Sequence, residues 1–235
     1  MSNLIAFGDS FTWGSDLSDE FILLGNTEPD SVLLEEFGML PNKPSSLTWT
    51  SLIAEHLNMN YNCYAKPGCS NNTITRTFLD KVDEIKSNDL VIINWTWINR
   101  WDFYNMDDDE WITLRPTSDI NEQSKFYFSY LQSELWDKWE SLKCISMVIS
   151  MLKERNIQYF MTCIDDLILS SDYHSPKYIK ELQSNILLDI NWFNGKSFVE
   201  WSKERNYPIS ENHHPLDKAH YEAFKYIKDR NEFTR

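Results

Sequence analysis

A serine near the start of the chain and a histidine near its end are the first candidates for chemistry in this sequence. Ser10 follows a short apolar run and stands in the triplet Gly8-Asp9-Ser10. Open α/β sheets bind their ligands at the carboxyl ends of the strands, so Ser10 is predicted to lie at such a site. A free hydroxyl is a poor nucleophile and needs a base within hydrogen-bond reach. The two groups can occur in any order along a chain, because only their geometry matters.

The candidate base is His214, in the segment Ser210-Glu211-Asn212-His213-His214-Pro215. Glu211 stands three residues earlier, where its carboxylate could accept a hydrogen bond from the ring nitrogen that faces away from the serine. His213 is a competing base, and we favour His214. The spacing thus indicates a nucleophile, a base and an orienting acid, namely Ser10, His214 and Glu211.

The oxyanion of an acyl-transfer reaction needs hydrogen-bond donors, and two further segments could supply them. Gly68 follows an apolar run, and a glycine there lets a backbone N–H face a ligand. A polar side chain that ends or follows the run Leu90–Trp95 could add another donor, and the candidates are Asn94, Thr96 and Asn99. Candidate substrate contacts at the same crevice are Asp9, Asn71, Trp97 and Arg100, and Arg100 would either bind a substrate carboxylate or pair with a nearby acid.

Strands that alternate with helices indicate a parallel sheet covered by helices on both faces. Strands are predicted over about 3–8, 61–65, 90–95 and 157–163. Helices are predicted after Thr48 or Ser46, after one of Ser70, Asn71 and Asn72, over 122–154, over 177–190, and from Pro215 to Ile227. Residues 15–47 and 99–120 are predicted to be loop-like insertions, the first of them near the nucleophile.

Composition excludes several classes of protein. The 235 residues fit one domain, and the net charge of −14 disfavours nucleic acid and anionic membrane surfaces as partners. The four cysteines have the spacing of neither a zinc site nor a disulfide framework, so we expect reduced thiols and no metal. The chain has no secretory signal and no apolar stretch long enough to cross a bilayer, which predicts a cytoplasmic protein, or a virion-associated one if it is viral.

Taken in order, these segments resemble the conserved blocks of the SGNH hydrolases, also called the GDSL esterase/lipase family. Gly8-Asp9-Ser10 is similar to the nucleophile block, and Gly68 lies in a segment similar to the second block. The strand ending in Asn94-Trp95-Thr96 stands where the third block belongs. Glu211-Asn212-His213-His214-Pro215 is similar to the Asp-x-x-His block. The third segment and the chain's ending also resemble family members encoded by phages and some bacteria.

The resemblance implies a flavodoxin-like, three-layer α/β/α sandwich with a mainly parallel sheet, formed by residues 1–235 as a single domain. It implies serine hydrolysis of small acyl esters, among them O-acetyl groups on carbohydrates, without a metal or cofactor. Ser10 would be the nucleophile and His214 the general base. The backbone N–H groups of Ser10 and Gly68, with one side-chain donor, would hold the oxyanion.

The sequence departs from the family pattern in two places. It has no Gly-x-Asn-Asp string in the third block, so Asn99 is the expected donor and Thr96 the substitute. Glu211 stands where the family has aspartate. Two other functions therefore stay open: a non-catalytic module that binds a glycan or a protein, and an acyltransferase that uses the same serine.

Overall fold

The core of the protein is a parallel sheet, seen here in a computed structural model that describes residues 2–19, 43–116 and 122–230. Four strands form this sheet in the order β2-β1-β3-β6. Two further strands, β4 and β5, form a separate antiparallel hairpin. The strands are β1 (Asn3–Phe7), β2 (Asn60–Cys63), β3 (Leu90–Trp95), β4 (Trp101–Asn105), β5 (Glu110–Leu114) and β6 (Gln158–Cys163).

The register of the sheet aligns the carboxyl ends of its strands at one edge. β1 pairs with β2 through Ala6 and Cys63, and with β3 through Phe7 and Ile93. All three pairings in the sheet are parallel. β3 is buried along its whole length, which agrees with its continuous apolar run. The loops that follow β1, β2 and β3 therefore meet at a common edge.

Helices cover both faces of the sheet, as the predicted α/β/α architecture requires. One apolar cluster joins a face of the sheet to α3, α5 and α6, and the other joins the opposite face to α2, α7 and α8. The helices are α1 (Ser10–Trp13), α2 (Trp49–His56), α3 (Asn71–Lys81), α4 (Glu122–Phe126), α5 (Glu134–Glu154), α6 (Lys177–Ile186), α7 (Phe198–Glu204) and α8 (Asp217–Asp229). The predicted fold class is confirmed.

Local signals placed several helix starts correctly. The Thr48 hydroxyl caps α2 by accepting from the Ser51 N–H, and the Ser70 hydroxyl caps α3 by accepting from the Thr73 N–H. Pro215 lies just before α8, which begins at Asp217. Each cap supplies an acceptor to a backbone donor that the helix itself leaves unpaired.

Three predictions were wrong. Residues 99–120 are not simply a loop, because they contain the β4–β5 hairpin. The helix expected over 122–154 is interrupted, since a π-helical turn over Tyr127–Leu131 follows α4 and α5 begins only at Glu134. The helix α7 was not predicted at all. Most of the insertion expected over 15–47 lies outside the described residues.

Candidate functional site

Ser10 is the first residue of α1, directly beyond the carboxyl end of β1. Asp9 caps this short helix, because its Oδ1 accepts from the Phe11 N–H at 3.1 Å. The helix ends at Gly14, whose φ of 90° is left-handed. The backbone N–H groups of Thr12, Trp13, Gly14 and Ser15 donate to the Asp9 and Ser10 carbonyls of this turn, and the Ser10 N–H is not among these donors. A sharp strand-to-helix turn thus presents the Ser10 hydroxyl and amide at the sheet edge.

His214 reaches this turn from the segment before α8. Its Nε2 lies 2.9 Å from the Ser10 Oγ, although the two residues are 204 positions apart. The His214 ring packs edge-on against Phe11, with ring centroids 4.9 Å apart. The neighbouring His213 has a left-handed φ of 66° and is exposed. The structure therefore brings His214, and not His213, to the serine.

The carboxylate that contacts His214 belongs to Asp16, and the expectation for Glu211 is corrected on this point. Asp16 Oδ2 lies 2.8 Å from His214 Nδ1. A carboxylate ion can only accept, so the Nδ1–H of His214 donates to Asp16; when Nε2 carries no proton, it can accept from the Ser10 hydroxyl. Glu211 is exposed to solvent. In the turn before His214, the Ser210 hydroxyl contacts Asp16 Oδ2 and the His214 backbone N–H, whereas the Glu211 side chain faces solvent.

Ser210 and Asn212 form hydrogen bonds that hold Asp16 in place, and Ser210 also bonds to the backbone of His214. The Ser210 hydroxyl donates to Asp16 Oδ2 at 2.6 Å and accepts from the His214 N–H at 3.1 Å. Burial by itself raises the pKa of Asp16, but the hydrogen bonds from His214, Ser210 and Asn212 and the charge of His214 outweigh it. The pKa of Asp16 is therefore lowered from its ordinary value of 3.8. An ionised Asp16 is suited to stabilising an imidazolium at His214.

Gly68 lies in a tight turn that is bonded to the segment before Ser10. The Cys69 N–H donates to the Lys66 carbonyl at 3.2 Å, and Gly68 has a φ of 74°. Proline before a left-handed glycine is the pattern of a type II turn, in which the Gly68 N–H stays outside the turn's own hydrogen bond. The Lys66 N–H donates to the Gly8 carbonyl at 3.0 Å, which holds this turn against the residues before Ser10. The position agrees with the predicted role of Gly68 as a backbone donor.

Two predicted substrate contacts, Asp9 and Arg100, have inward-facing partners instead. The Asp9 side chain is fully buried and accepts from the Thr96 hydroxyl at 2.6 Å and from Arg100 Nη1 at 3.0 Å. Only 12% of the Arg100 side chain is exposed. Burial of a carboxylate requires a charged or hydrogen-bonded partner, and here both side chains are used to satisfy each other. The Thr96 hydroxyl is committed to Asp9, so the structure does not present it as an oxyanion donor.

The other predicted oxyanion donors and substrate contacts also bond to the protein itself, are buried, or line a different cavity. The buried Asn71 accepts from the Thr96 N–H at 2.9 Å and donates to the Thr96 carbonyl at 3.1 Å, so it joins α3 to the end of β3 and does not face a substrate. The Asn94 side chain is fully buried. Asn99 and the half-buried Trp97 line a cavity of about 220 Å³ whose lining residues do not include Ser10, Gly68 or His214.

Asp16 is the site residue that sequence reasoning missed. It follows Ser10 by six positions, in Gly14-Ser15-Asp16. An acid on the loop after α1, beyond the glycine that ends this helix, is the signal that could have found it. The loop is held in place because the Ser18 N–H and hydroxyl both donate to Asp217 at the start of α8.

No family model matches the sequence, and no curated protein matches it either. Solved structures do resemble it in fold. A structure called TesA superposes with a TM-score of 0.52 over 97% of both chains, at 10% identity. The acetyl xylan esterase Est2A from the rumen bacterium Butyrivibrio proteoclasticus gives a TM-score of 0.50 at 14% identity, over 97% of this chain and 64% of that one. A lipolytic protein of the G-D-S-L family from Veillonella parvula gives 0.49 at 10% identity, over 97% of each chain.

These comparisons establish the fold: a mostly parallel central sheet with flanking helices, shared with TesA and Est2A. Within the described part of the chain, no helix is long and apolar enough to cross a membrane. In the same residues, His, Cys, Asp and Glu side chains do not form a group of three that could hold a metal ion. All four cysteines are free thiols, and three of them are buried.

Proposed function

We propose that this protein is a serine hydrolase of the SGNH type that cleaves carboxylic esters through an acyl-enzyme. The observation that carries the proposal is the continuous chain of contacts from Ser10 Oγ to His214 Nε2 at 2.9 Å and from His214 Nδ1 to Asp16 Oδ2 at 2.8 Å. Serine hydrolases of unrelated folds have the same chain of contacts, from serine to histidine and from histidine to an acid. The shared fold and the order of the sequence blocks support the same proposal.

In the first half of the reaction, Ser10 Oγ attacks the ester carbonyl while His214 Nε2 takes its proton. The resulting imidazolium is stabilised by the ionised Asp16. The backbone N–H groups of Ser10 and Gly68 are the proposed donors to the oxyanion. His214 then gives its proton to the departing alkoxide, and an ester bond to Ser10 remains.

In the second half, a water molecule loses a proton to His214 and attacks the acyl-enzyme. The carboxylic acid leaves as the proton returns to Ser10 Oγ. Every proton transfer in this cycle passes through His214, whose orientation depends on Asp16 and Ser210.

Small acyl esters are the proposed substrates, and O-acetyl groups on carbohydrates are the first class to test. Est2A, which shares the fold, is named as an acetyl xylan esterase. An acyltransferase would use the same residues, and adding a glycan acceptor and analysing the products separates the two reactions. The intact relay supports a hydrolase over the non-catalytic binding module.

The direct test compares the wild type with Ser10→Ala, using p-nitrophenyl acetate and a fluorophosphonate probe. We expect the wild type to hydrolyse the ester and to take up one equivalent of probe at Ser10. Ser10→Ala should lose at least about 1,000-fold in kcat and all labelling, because the nucleophile is gone. Equal rates in the two proteins, or a folded wild type that is not labelled, would refute the proposal.

A further inference from the structure

Arg100 joins the three segments that form the proposed site. Its Nη1 donates to Asp9 Oδ2 at 3.0 Å, to the Cys69 carbonyl at 2.8 Å and to the Thr96 hydroxyl at 2.8 Å. Asp9 precedes the nucleophile, Cys69 follows Gly68, and Thr96 follows β3. One guanidinium nitrogen thus holds the loops after β1, β2 and β3 together.

The site has no side-chain amide where the third sequence block would place one. Thr96 and Asn71 are bonded to other groups of the fold, and Asn94 is fully buried. Both proposed oxyanion donors, the Ser10 and Gly68 amides, are therefore backbone groups on separate loops. Their relative position must be set by contacts between those loops, and Arg100 supplies the charged contact.

We propose that Arg100 is a positioning residue that holds the Gly68 turn at a fixed distance from the Ser10 turn. This inference rests on the proposed function. The Cys69 carbonyl belongs to the Gly68 turn and the Asp9 carboxylate to the Ser10 turn, and both accept from Nη1. Arg100 acts through these two groups and does not contact the reacting atoms.

The chemistry of the contact favours arginine over lysine. All three contacts come from one guanidinium nitrogen, Nη1, whose direction is fixed because the charged group is planar. An ammonium keeps the charge that the buried Asp9 needs but is a single point on a flexible stem. Arg100→Lys therefore removes the geometry while it retains the ion pair.

The test measures kcat and KM for p-nitrophenyl acetate and the fluorophosphonate labelling rate of Arg100→Lys. We expect kcat and the labelling rate to fall about 10- to 100-fold, as misplaced catalytic groups do, with KM changed less than about threefold. In Arg100→Ala, added methylguanidinium should restore part of kcat, while methylammonium should not. A purely structural role would lower the melting temperature without this rescue.

The matched control is Arg76→Lys. Arg76 belongs to α3 and also pairs with a buried carboxylate, that of Asp102 at 2.7 Å, and its side-chain hydrogen bonds go to Thr73 and Asp102. We expect the kcat of Arg76→Lys to stay within about twofold of the wild-type value, a much smaller change than the fall expected when a catalytic group is misplaced. A similar loss in both lysine variants would refute a specific role for Arg100.

If Arg100→Lys does not fold, the same measurements are made on the double variant Asp9→Asn/Arg100→Met. This variant leaves no unpaired buried charge, because it removes the Asp9 charge together with that of Arg100. Wild-type kcat in either folded variant would overturn the inference. An inactive and unlabelled wild type would instead refute the proposed function. The two failures are therefore distinct.

Discussion

At the scale of single residues, the identity of the acid decides how the proposed relay works. Asp16 is held by three side chains, and its hydrogen bonds and the His214 charge keep its pKa below the ordinary value despite burial. Asp16 lies on the loop that follows α1. The proposed nucleophile and the proposed acid thus belong to one short segment, and His214 contacts both.

Replacing Asp16 with asparagine should lower kcat for p-nitrophenyl acetate by about 100- to 10,000-fold, with little change in KM. The amide can donate to His214 Nδ1 and thereby select the wrong tautomer, as in the corresponding change in a serine protease. Glu211→Gln is the matched control, because Glu211 is exposed and near the same loop. Comparable losses in the two variants would contradict the assignment of Asp16.

At the scale of elements, the β4–β5 hairpin and the Gly68 turn form one unit. Asp102 in β4 accepts from the hydroxyl of Ser70, the cap of α3, at 2.6 Å and from that of Thr73, in the first turn of α3, at 2.8 Å. The residue after β5 is Arg115, and its guanidinium packs against Gly68: a Cβ added there would lie 3.0 Å from Nη1. The hairpin therefore restricts the space around the proposed oxyanion donor.

Gly68→Ala should destabilise the fold by roughly 1–2 kcal/mol, the cost of a left-handed φ for an alanine, and should also lower kcat. The activity loss follows because the added methyl group must displace Arg115 or tilt the turn. Denaturant unfolding and ester hydrolysis measure the two effects.

Gly195→Ala separates strain from function. Gly195 has a similar φ of 79°, but a Cβ there would meet nothing within 4 Å. We expect the same loss of stability and a normal kcat. A normal kcat in Gly68→Ala as well would mean that the Gly68 turn does not serve the reaction.

At the scale of the whole molecule, a buried polar contact joins α8, the helix that follows His214, to α2 within the same layer. His220 of α8 is fully buried, and its Nδ1 accepts from the Trp49 N–H at the start of α2, at 3.2 Å. Burial lowers the pKa of His220 to about 3, while the nearby charges of Asp217 and Asp19 act in the opposite direction. The folded state therefore favours the neutral form of His220.

This histidine should make the fold sensitive to acid. Its pKa is lower in the folded state than its ordinary value of 6.5, so below pH 6.5 the unfolded chain binds a proton that the folded chain does not. The free energy of unfolding therefore falls with decreasing pH, by up to about 1.4 kcal/mol per unit between roughly pH 6 and pH 4. His220→Gln keeps an acceptor for Trp49 and should flatten this slope in urea unfolding. Parallel slopes for the two proteins would contradict the assignment.

The sequence by itself determined the strands of the sheet, selected Ser10, Gly68 and His214 as candidates, and limited the helix caps to Thr48 or Ser46 and to Ser70, Asn71 or Asn72. These features depend on local signals: apolar runs of strand length, hydroxyls before helices, and a glycine in a turn after a strand. Since parallel strands align their carboxyl ends, the loops that carry Ser10 and Gly68 had to meet.

Only the tertiary structure decided which acid contacts His214 and what Arg100, Asp9 and Thr96 contact. Glu211 and Asp16 are both close to the site in sequence, yet the turn at Ser210 directs the His214 ring toward Asp16. Arg100 and Asp9 are 91 positions apart and find each other only when β1 and β3 pair. Side-chain direction at the end of a strand depends on packing against neighbouring segments, and no local pattern in the sequence encodes it.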